Sequence, residues 1–222
     1  TIESPVTSSW AANKATGSSL GTKFGVTMSA SSKILYHYSH DSTWGSFWLS
    51  ESPEVAVVPI PAGETVIYMY ANKYITQFNN FKGYPWTGLN NIDLPLLEEL
   101  DLTGLSNMPA NDFFFGGVLS STGVGLKNIK KLILKNVVLT GPNASAYTLD
   151  VSRCSKLEYL DISNSSITNV TLPTTAVLKT YDLSGTAITN LTLSNQAFLE
   201  NLILTNCDSL TSITIENCGK LR

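Results

Sequence analysis

Apolar residues in the second half of the chain recur in the order L-x-x-L-x-L-x-x-s, where s is small and polar. The frame fits Leu157/Leu160/Ile162/Ser165, Leu178/Tyr181/Leu183/Thr186 and Leu199/Leu202/Leu204/Cys207. A second series lies between these: Ile167/Val170/Leu172/Thr175, Ile188/Leu191/Leu193/Gln196 and Leu210/Ile213/Ile215/Cys218. Starting positions fall at 157, 167, 178, 188, 199, 210 and 221, a half-period of 10 or 11 residues and a full period of 21 or 22. The x-L-x-L-x centre is a strand pattern, because alternate side chains point inward. The leading Leu turns in from the preceding corner, and the small position fits a tight turn. Stacked coils bury a continuous apolar column that no single coil buries alone. The pattern therefore predicts a mainly β solenoid with two short strands per coil and few helices.

Upstream the frame continues with looser spacing. Leu97/Leu100/Leu102 and Ile129/Leu132/Leu134 fit the first series, Leu89/Ile92/Leu94 fits the second, and Leu149/Val151/Cys154 fits its later part. An insertion, Ser106 to Asn128, carries Phe113-Phe114-Phe115. Its Pro109 and Asn111 predict the start of a short helix whose aromatic run packs under the array.

Residues 22–80 follow a different rhythm. Period-two runs occupy Lys23 to Met28, Lys33 to Tyr38, Phe47 to Ser50, Val55 to Ile60 and Glu64 to Tyr70. Ser31-Ser32, Asp41-Ser42 and Pro61-Ala62-Gly63 separate them, which predicts short antiparallel strands in a small β-sandwich or rolled sheet. Trp10, Trp44, Trp48, Tyr36, Tyr38, Tyr68 and Tyr70 supply bulk for its core and rim, and Ile75/Phe78/Phe81 forms a degenerate half-repeat. The division expected is 1–85, a β-sandwich-like cap with a polar N-terminal segment, and 86–222, the solenoid with its insertion at 106–128. A cap suits the open end of a solenoid. The rival role for this region is a binding sandwich with exposed Trp or Tyr.

The runs "LEYLDISNSSITNVTLP", "LKTYDLSGTAITNLTLS" and "LENLILTNCDSLTSITIENCGKLR" resemble the short-period leucine-rich repeats of Bacteroides-group surface proteins. Those families alternate "LTxLDVSxC" and "LxxLDCSxN" units, and related phages carry such repeats in fibre and virion proteins. "PAGETVIYMYANKYITQF" resembles the last strand of the β-domain that precedes the repeats. The resemblance implies an extracytoplasmic, non-enzymatic binding or adhesion module. The family's usual Asn position holds Ser165, Thr186, Thr175 and Gln196 here, so an uninterrupted asparagine ladder is not expected.

Composition narrows the chemistry. The chain has 222 residues with 14 Lys+Arg, 17 Asp+Glu and a net charge of −3; only 14% of residues are charged, against roughly 25% in an average domain. Ser, Thr and Asn fill the difference. No basic cluster points to nucleic acid, and no apolar run reaches the roughly 20 residues of a membrane helix. Thr1 to Ser19 is polar, so any signal peptide is expected to be absent or already removed. Leu221-Arg222 opens another frame, and the expectation is that the chain is part of a longer polypeptide whose array is truncated at 222.

Three cysteines, Cys154, Cys207 and Cys218, share the small position. They read as buried thiols filling a repeat slot, with no bridge between Cys207 and Cys218. His37, His40 and Asp41 form the only cluster with ligand-like chemistry, but no third or fourth partner is evident, and a solvated strand end is the expected meaning. No nucleophile elbow, zinc-binding helix or phosphate loop occurs. The chain is read as not an enzyme, with no cofactor.

Outward positions stack into columns. On the first face Asp101, Ile133, Asp161, Asp182 and Ile203 share one column, with Tyr159, Thr180 and Asn201 beside it. Strands about 4.8 Å apart make Asp161 and Asp182 close neighbours. Solvated carboxylates are the default, and a weak calcium site is the sharper alternative. The opposite face stacks Asp93, Thr171, Thr192 and Thr214 beside Asn91, Asn169, Asn190 and Ser212. The candidate binding surface is Tyr159, Asp161, Thr180, Asp182 and Asn201, contacting a protein or glycan. The leading expectation is a recognition or adhesion module of a larger cell-surface or secreted protein. Two rivals stand: a phage virion fibre or decoration component, for which a homo-oligomeric assembly is expected, and an accessory domain of a secreted hydrolase.

Overall fold

The computed structural model describes residues 9–10, 22–38, 44–49, 54–58, 67–70, 75–79, 96–105, 108–109, 127–141, 147–175 and 177–222. Among these residues the chain is mainly β, without a helix, and forms a β-solenoid of about four turns. In chain order the strands are β1 (Ser9–Trp10), β2 (Thr22–Met28), β3 (Ser32–Tyr38), β4 (Gly45–Leu49), β5 (Glu54–Val58) and β6 (Ile67–Tyr70). They continue as β7 (Ile75–Asn79), β8 (Glu99–Asp101), β9 (Met108–Pro109), β10 (Lys131–Ile133), β11 (Leu139–Thr140) and β12 (Tyr147–Asp150). The last six are β13 (Tyr159–Asp161), β14 (Ile167–Thr171), β15 (Thr180–Asp182), β16 (Asn190–Ser194), β17 (Asn201–Ile203) and β18 (Ser212–Glu216).

Strands β2 to β6 coincide with the five period-two runs. They pair antiparallel, in the order β1-β6-β3-β4 in one sheet and β5-β2-β7 in another. The second of these continues as the first face of the solenoid. β7 is antiparallel to β2 but parallel to β8, after which β10, β13, β15 and β17 follow in parallel register. Ile75 and Phe78 are fully buried, so this half-repeat supplies the first rung of the parallel ladder. Phe81 lies outside the described residues.

The inward register follows the leucine frame. Leu97, Leu100, Leu102, Ile129, Leu132, Leu134, Leu157, Leu160 and Ile162 have no exposed surface. Cover thins toward β17 and β18, which each have a strand neighbour on one side only. Leu202, Leu204, Leu210 and Leu221 are half-buried there, and Ile213 and Ile215 are exposed.

Two hydrogen bonds make the corners. After each first-face strand the small position donates its N–H to the residue three before it, as in Ser165 to Ile162 and Thr186 to Leu183. The carbonyl of the small position then accepts the next leading N–H, as in Leu157 to Cys154, Leu199 to Gln196 and Leu210 to Cys207. That bond accompanies the three-residue step from slot to leading Leu at these corners, whereas the step is two residues from Ser165 to Ile167, where the Ile167 N–H donates to Ser165 Oγ instead.

The residue just before the slot has left-handed backbone: Gly104, Asn136, Asn164, Gly185 and Asn206 at one corner, Asn195 and Asn217 at the other. Only Gly and, at small cost, Asn visit that region routinely. Asparagines therefore recur one position before the slot, interrupted by Gly104 and Gly185 at the first corner. Asn217 Nδ2 donates to Asn195 Oδ1 across 2.8 Å.

One sequence expectation is corrected at Pro109, which is not a helical residue: Met108–Pro109 is β9, parallel to β11. Proline is tolerated because β9 is a short strand whose register partner lies on one side only. Asn111 and Phe113-Phe114-Phe115 lie outside the described residues, as do Leu89, Ile92 and Leu94.

Candidate functional site

The parallel register sets outward residues of the first face into two columns. One runs Gln77, Glu99, Lys131, Tyr159, Thr180, Asn201, and its neighbour runs Asn79, Asp101, Ile133, Asp161, Asp182, Ile203. Tyr159, Asp161, Thr180, Asp182 and Asn201 are thus brought together on three adjacent strands. Asn201 is exposed, Tyr159, Thr180 and Asp182 are partly exposed, and Asp161 is buried at 7% exposure. Asn201 Nδ2 reaches Thr180 Oγ1 at 3.4 Å, and the Lys131 ammonium lies 5.8 Å from the Tyr159 ring centroid.

The aspartates differ from the expectation of solvated carboxylates. Asp161 Oδ1 accepts the Ser163 N–H at 2.8 Å, and Asp182 Oδ1 accepts the Ser184 N–H at 2.9 Å. Asp101 accepts both N–H and hydroxyl of Thr103, and Asp150 accepts the Ser152 N–H. The shared D-x-S/T spelling marks a side chain closing its own turn. Asp161 and Asp182 are register partners, yet each has one oxygen committed to the corner. Among the described residues no group of three or more His, Cys, Asp or Glu gathers to hold a metal ion.

Charge of alternating sign, which the sequence reading missed, runs along the same face, chiefly in a third column. In that third column Glu98 pairs with Lys130 at 2.9 Å and Glu158 with Lys179 at 2.6 Å; in the first column Glu99 pairs with Lys131 at 2.8 Å, and Glu200 of the third meets Lys220, just before Leu221, at 3.9 Å. The third column's signal was available, because the residue after each leading Leu or Ile is in turn Glu98, Lys130, Glu158, Lys179, Glu200 and Arg222. The hydrogen bond that the Lys131 ammonium donates to Glu99 raises the Lys131 pKa against partial desolvation. Glu158 does the same for Lys179. Desolvation, then the charges of Asp161 and Asp182, raises that of the Tyr159 phenol. The surface is polar but locally charge-compensated, with no single-sign field to steer a strongly charged partner.

Comparison with protein-family models, with curated proteins and with solved structures gave no match.

The second face is less regular. β12 pairs with β14 and β16 with β18, but β14 and β16 do not pair. The expected threonine ladder is therefore broken: Thr192 and Thr214 are register partners, whereas Thr171 partners Asp150. Asp93 and Asn91 lie outside the described residues.

All three cysteines are free thiols. Cys154 is buried, and its pKa is pushed up to about 12 by desolvation. Cys207 and Cys218 are only partly buried. His40 and Asp41 lie outside the described residues; His37 is on β3, and nothing of its side chain is described. Trp44 and Trp48 are 52% and 70% exposed, so these two sit at the surface rather than filling a core.

Proposed function

We propose that this chain is a non-catalytic recognition module of the short-period leucine-rich-repeat type, with the antiparallel β-region as its cap. It binds a protein or glycan through the first solenoid face, on the outside of the cell or as a secreted protein, and forms part of a longer polypeptide. The observation that carries the reading is the register column Tyr159, Thr180, Asn201 lying beside Asp161, Asp182 and Ile203 on strands β13, β15 and β17. A flat row of a phenol, a hydroxyl and an amide offers distributed hydrogen bonds and one ring, the contacts by which repeat surfaces bind. Asp161 holds the surface rigid through its turn, and the more open Asp182 offers an acceptor. Charge compensation in the adjoining column favours a polar, weakly charged ligand over a polyanion.

The test is binding to a panel of printed polysaccharides and purified extracellular proteins, with one arginine scanned on each face. Thr180→Arg on the first face should weaken any binding at least tenfold, while Thr192→Arg on the opposite face should leave it unchanged. Equal binding by both variants, or turnover of any probe, would overturn the reading.

A further inference from the structure

The break between β14 and β16 is a physical opening in the second face. Consecutive coils are joined directly at β13 and β15 on the first face, yet nearly all Cα–Cα separations between β14 and β16 exceed 8 Å. Hydrogen-bonded neighbours lie about 4.8 Å apart, so two strands flanking a third lie about 9.6 Å apart. A cleft of about 170 Å³ lies there, lined by Val170, Leu172, Leu191 and Tyr181, with Asn169 and Asn190 among its polar residues.

The flanking strands turn unused backbone toward the cleft. The Thr171 carbonyl accepts the Val151 N–H, and the Thr189 carbonyl accepts the Thr211 N–H. The polar groups of successive residues alternate sides along a strand. Val170 of β14, and Asn190 and Thr192 of β16, therefore point backbone groups into the gap. Among the described residues no backbone hydrogen bond crosses it.

Tyr181 occupies a position where neighbouring coils have Leu160 and Leu202, and it is fully buried. Its ring is larger than the leucines at the same position of the neighbouring coils, in the coil where the second-face pairing is missing. Tyr181 is among the residues that line the cleft. At one end the two coils are tied instead by a long side chain: Gln196 Nε2 donates to the Pro173 carbonyl at 3.3 Å. Gln196 is itself buried, and its Oε1 has no partner. The equivalent position of the next coil holds the short Cys218, where the strands do pair.

We propose that this opening is a binding slot for one extended peptide segment of a partner protein, inserted as a β-strand between β14 and β16. The partner strand supplies N–H and C=O groups to both edges, alternating aliphatic residues toward Val170 and Leu191, and no charge, since no charged residue lines the cleft. Strand addition of this kind takes its affinity from the main chain and its specificity from alternate side chains. The slot is independent of the first-face surface and stands or falls separately.

The test uses isotopically labelled protein and an end-blocked nine-residue peptide copying residues 188–196, Ile-Thr-Asn-Leu-Thr-Leu-Ser-Asn-Gln. Saturable shifts of the Val170, Leu172, Asn190 and Thr192 amide signals are expected. The same peptide N-methylated at alternate residues should bind at least tenfold more weakly. Tyr181→Leu should narrow the slot and weaken binding similarly. Thr192→Pro, which removes an N–H facing the slot and none facing β18, should also weaken it if Tyr181→Leu does not fold. No saturable shift at millimolar peptide, shifts confined to β17 and β18, or equal binding of the N-methylated peptide would each overturn the proposal.

Discussion

The Asn164 side-chain oxygen occupies the place that a Cβ on Gly185 would take. Both residues have left-handed backbone, at φ of 54° and 66°, and they stack one coil apart at the same corner. Gly185→Ala therefore meets two obstacles: a conformation that L residues pay about 1–2 kcal/mol to adopt, and displacement of Asn164. The expected loss is about 2 kcal/mol in urea unfolding, with a smaller loss when Asn164 is already glycine. Additive losses would mean the two residues do not touch.

Asp161 is a turn acceptor. Asp161→Ala strands the Ser163 N–H in a buried corner and should cost about 1–3 kcal/mol. Asp161→Asn keeps an acceptor oxygen and should cost distinctly less. Thermal melts of the two variants separate this structural role from a purely surface one, for which both changes would be silent.

Leu183 is 1% exposed, whereas Leu204, at the same position one coil later, is only half-buried. Leu183→Ala should lose about 2–5 kcal/mol as a fully buried truncation. Leu204→Ala should lose clearly less, since part of its surface is already in water. Denaturant unfolding of both variants reads the gradient of cover along the array; equal losses would contradict it.

Cys154 links stability to alkaline pH. An unfolded thiol ionises near 9 and the buried Cys154 only near 12, so the unfolded chain loses its proton first as pH rises. The contribution is intact below about pH 9 and then falls by up to about 1.4 kcal/mol per pH unit until the folded thiol also ionises. Between pH 9 and 10, before tyrosines ionise, Cys154→Ala should flatten the decline in melting temperature. Iodoacetamide at neutral pH should label Cys207 and Cys218 of the folded protein well before Cys154, as mass spectrometry will show.

How far the sequence carried can be seen at particular positions. Leu157, Leu160 and Ile162 were legible as inward because burial follows a strict spacing. The Asp161–Asp182 neighbourhood was legible because coils of 21 residues stack in register. The turn role of Asp161 was not read, although D-x-S/T recurs, because the outward side of a strand does not reveal which atoms a corner recruits. The left-handed asparagines were overlooked beside the slot they precede. The strand placement of Pro109 was not read because its two-residue strand is fixed by β11, about thirty residues away, and not by local spacing. The gap between β14 and β16 leaves no periodic trace: Tyr181 and Gln196 fit the repeat frame, and only their size, against Leu202 and Cys218, separates those coils.

Backbone hydrogen exchange on the ligand-free chain tests the central claim most directly, that the first face is closed and the second is split. The Leu134, Ile162 and Leu183 amides donate to Asp161, Asp182 and Ile203 of the following strands and should exchange slowly. The Val170, Asn190 and Thr192 amides should exchange orders of magnitude faster despite lying on the same coils. Protection of Val170 and Thr192 equal to that of Ile162 and Leu183 would contradict the account.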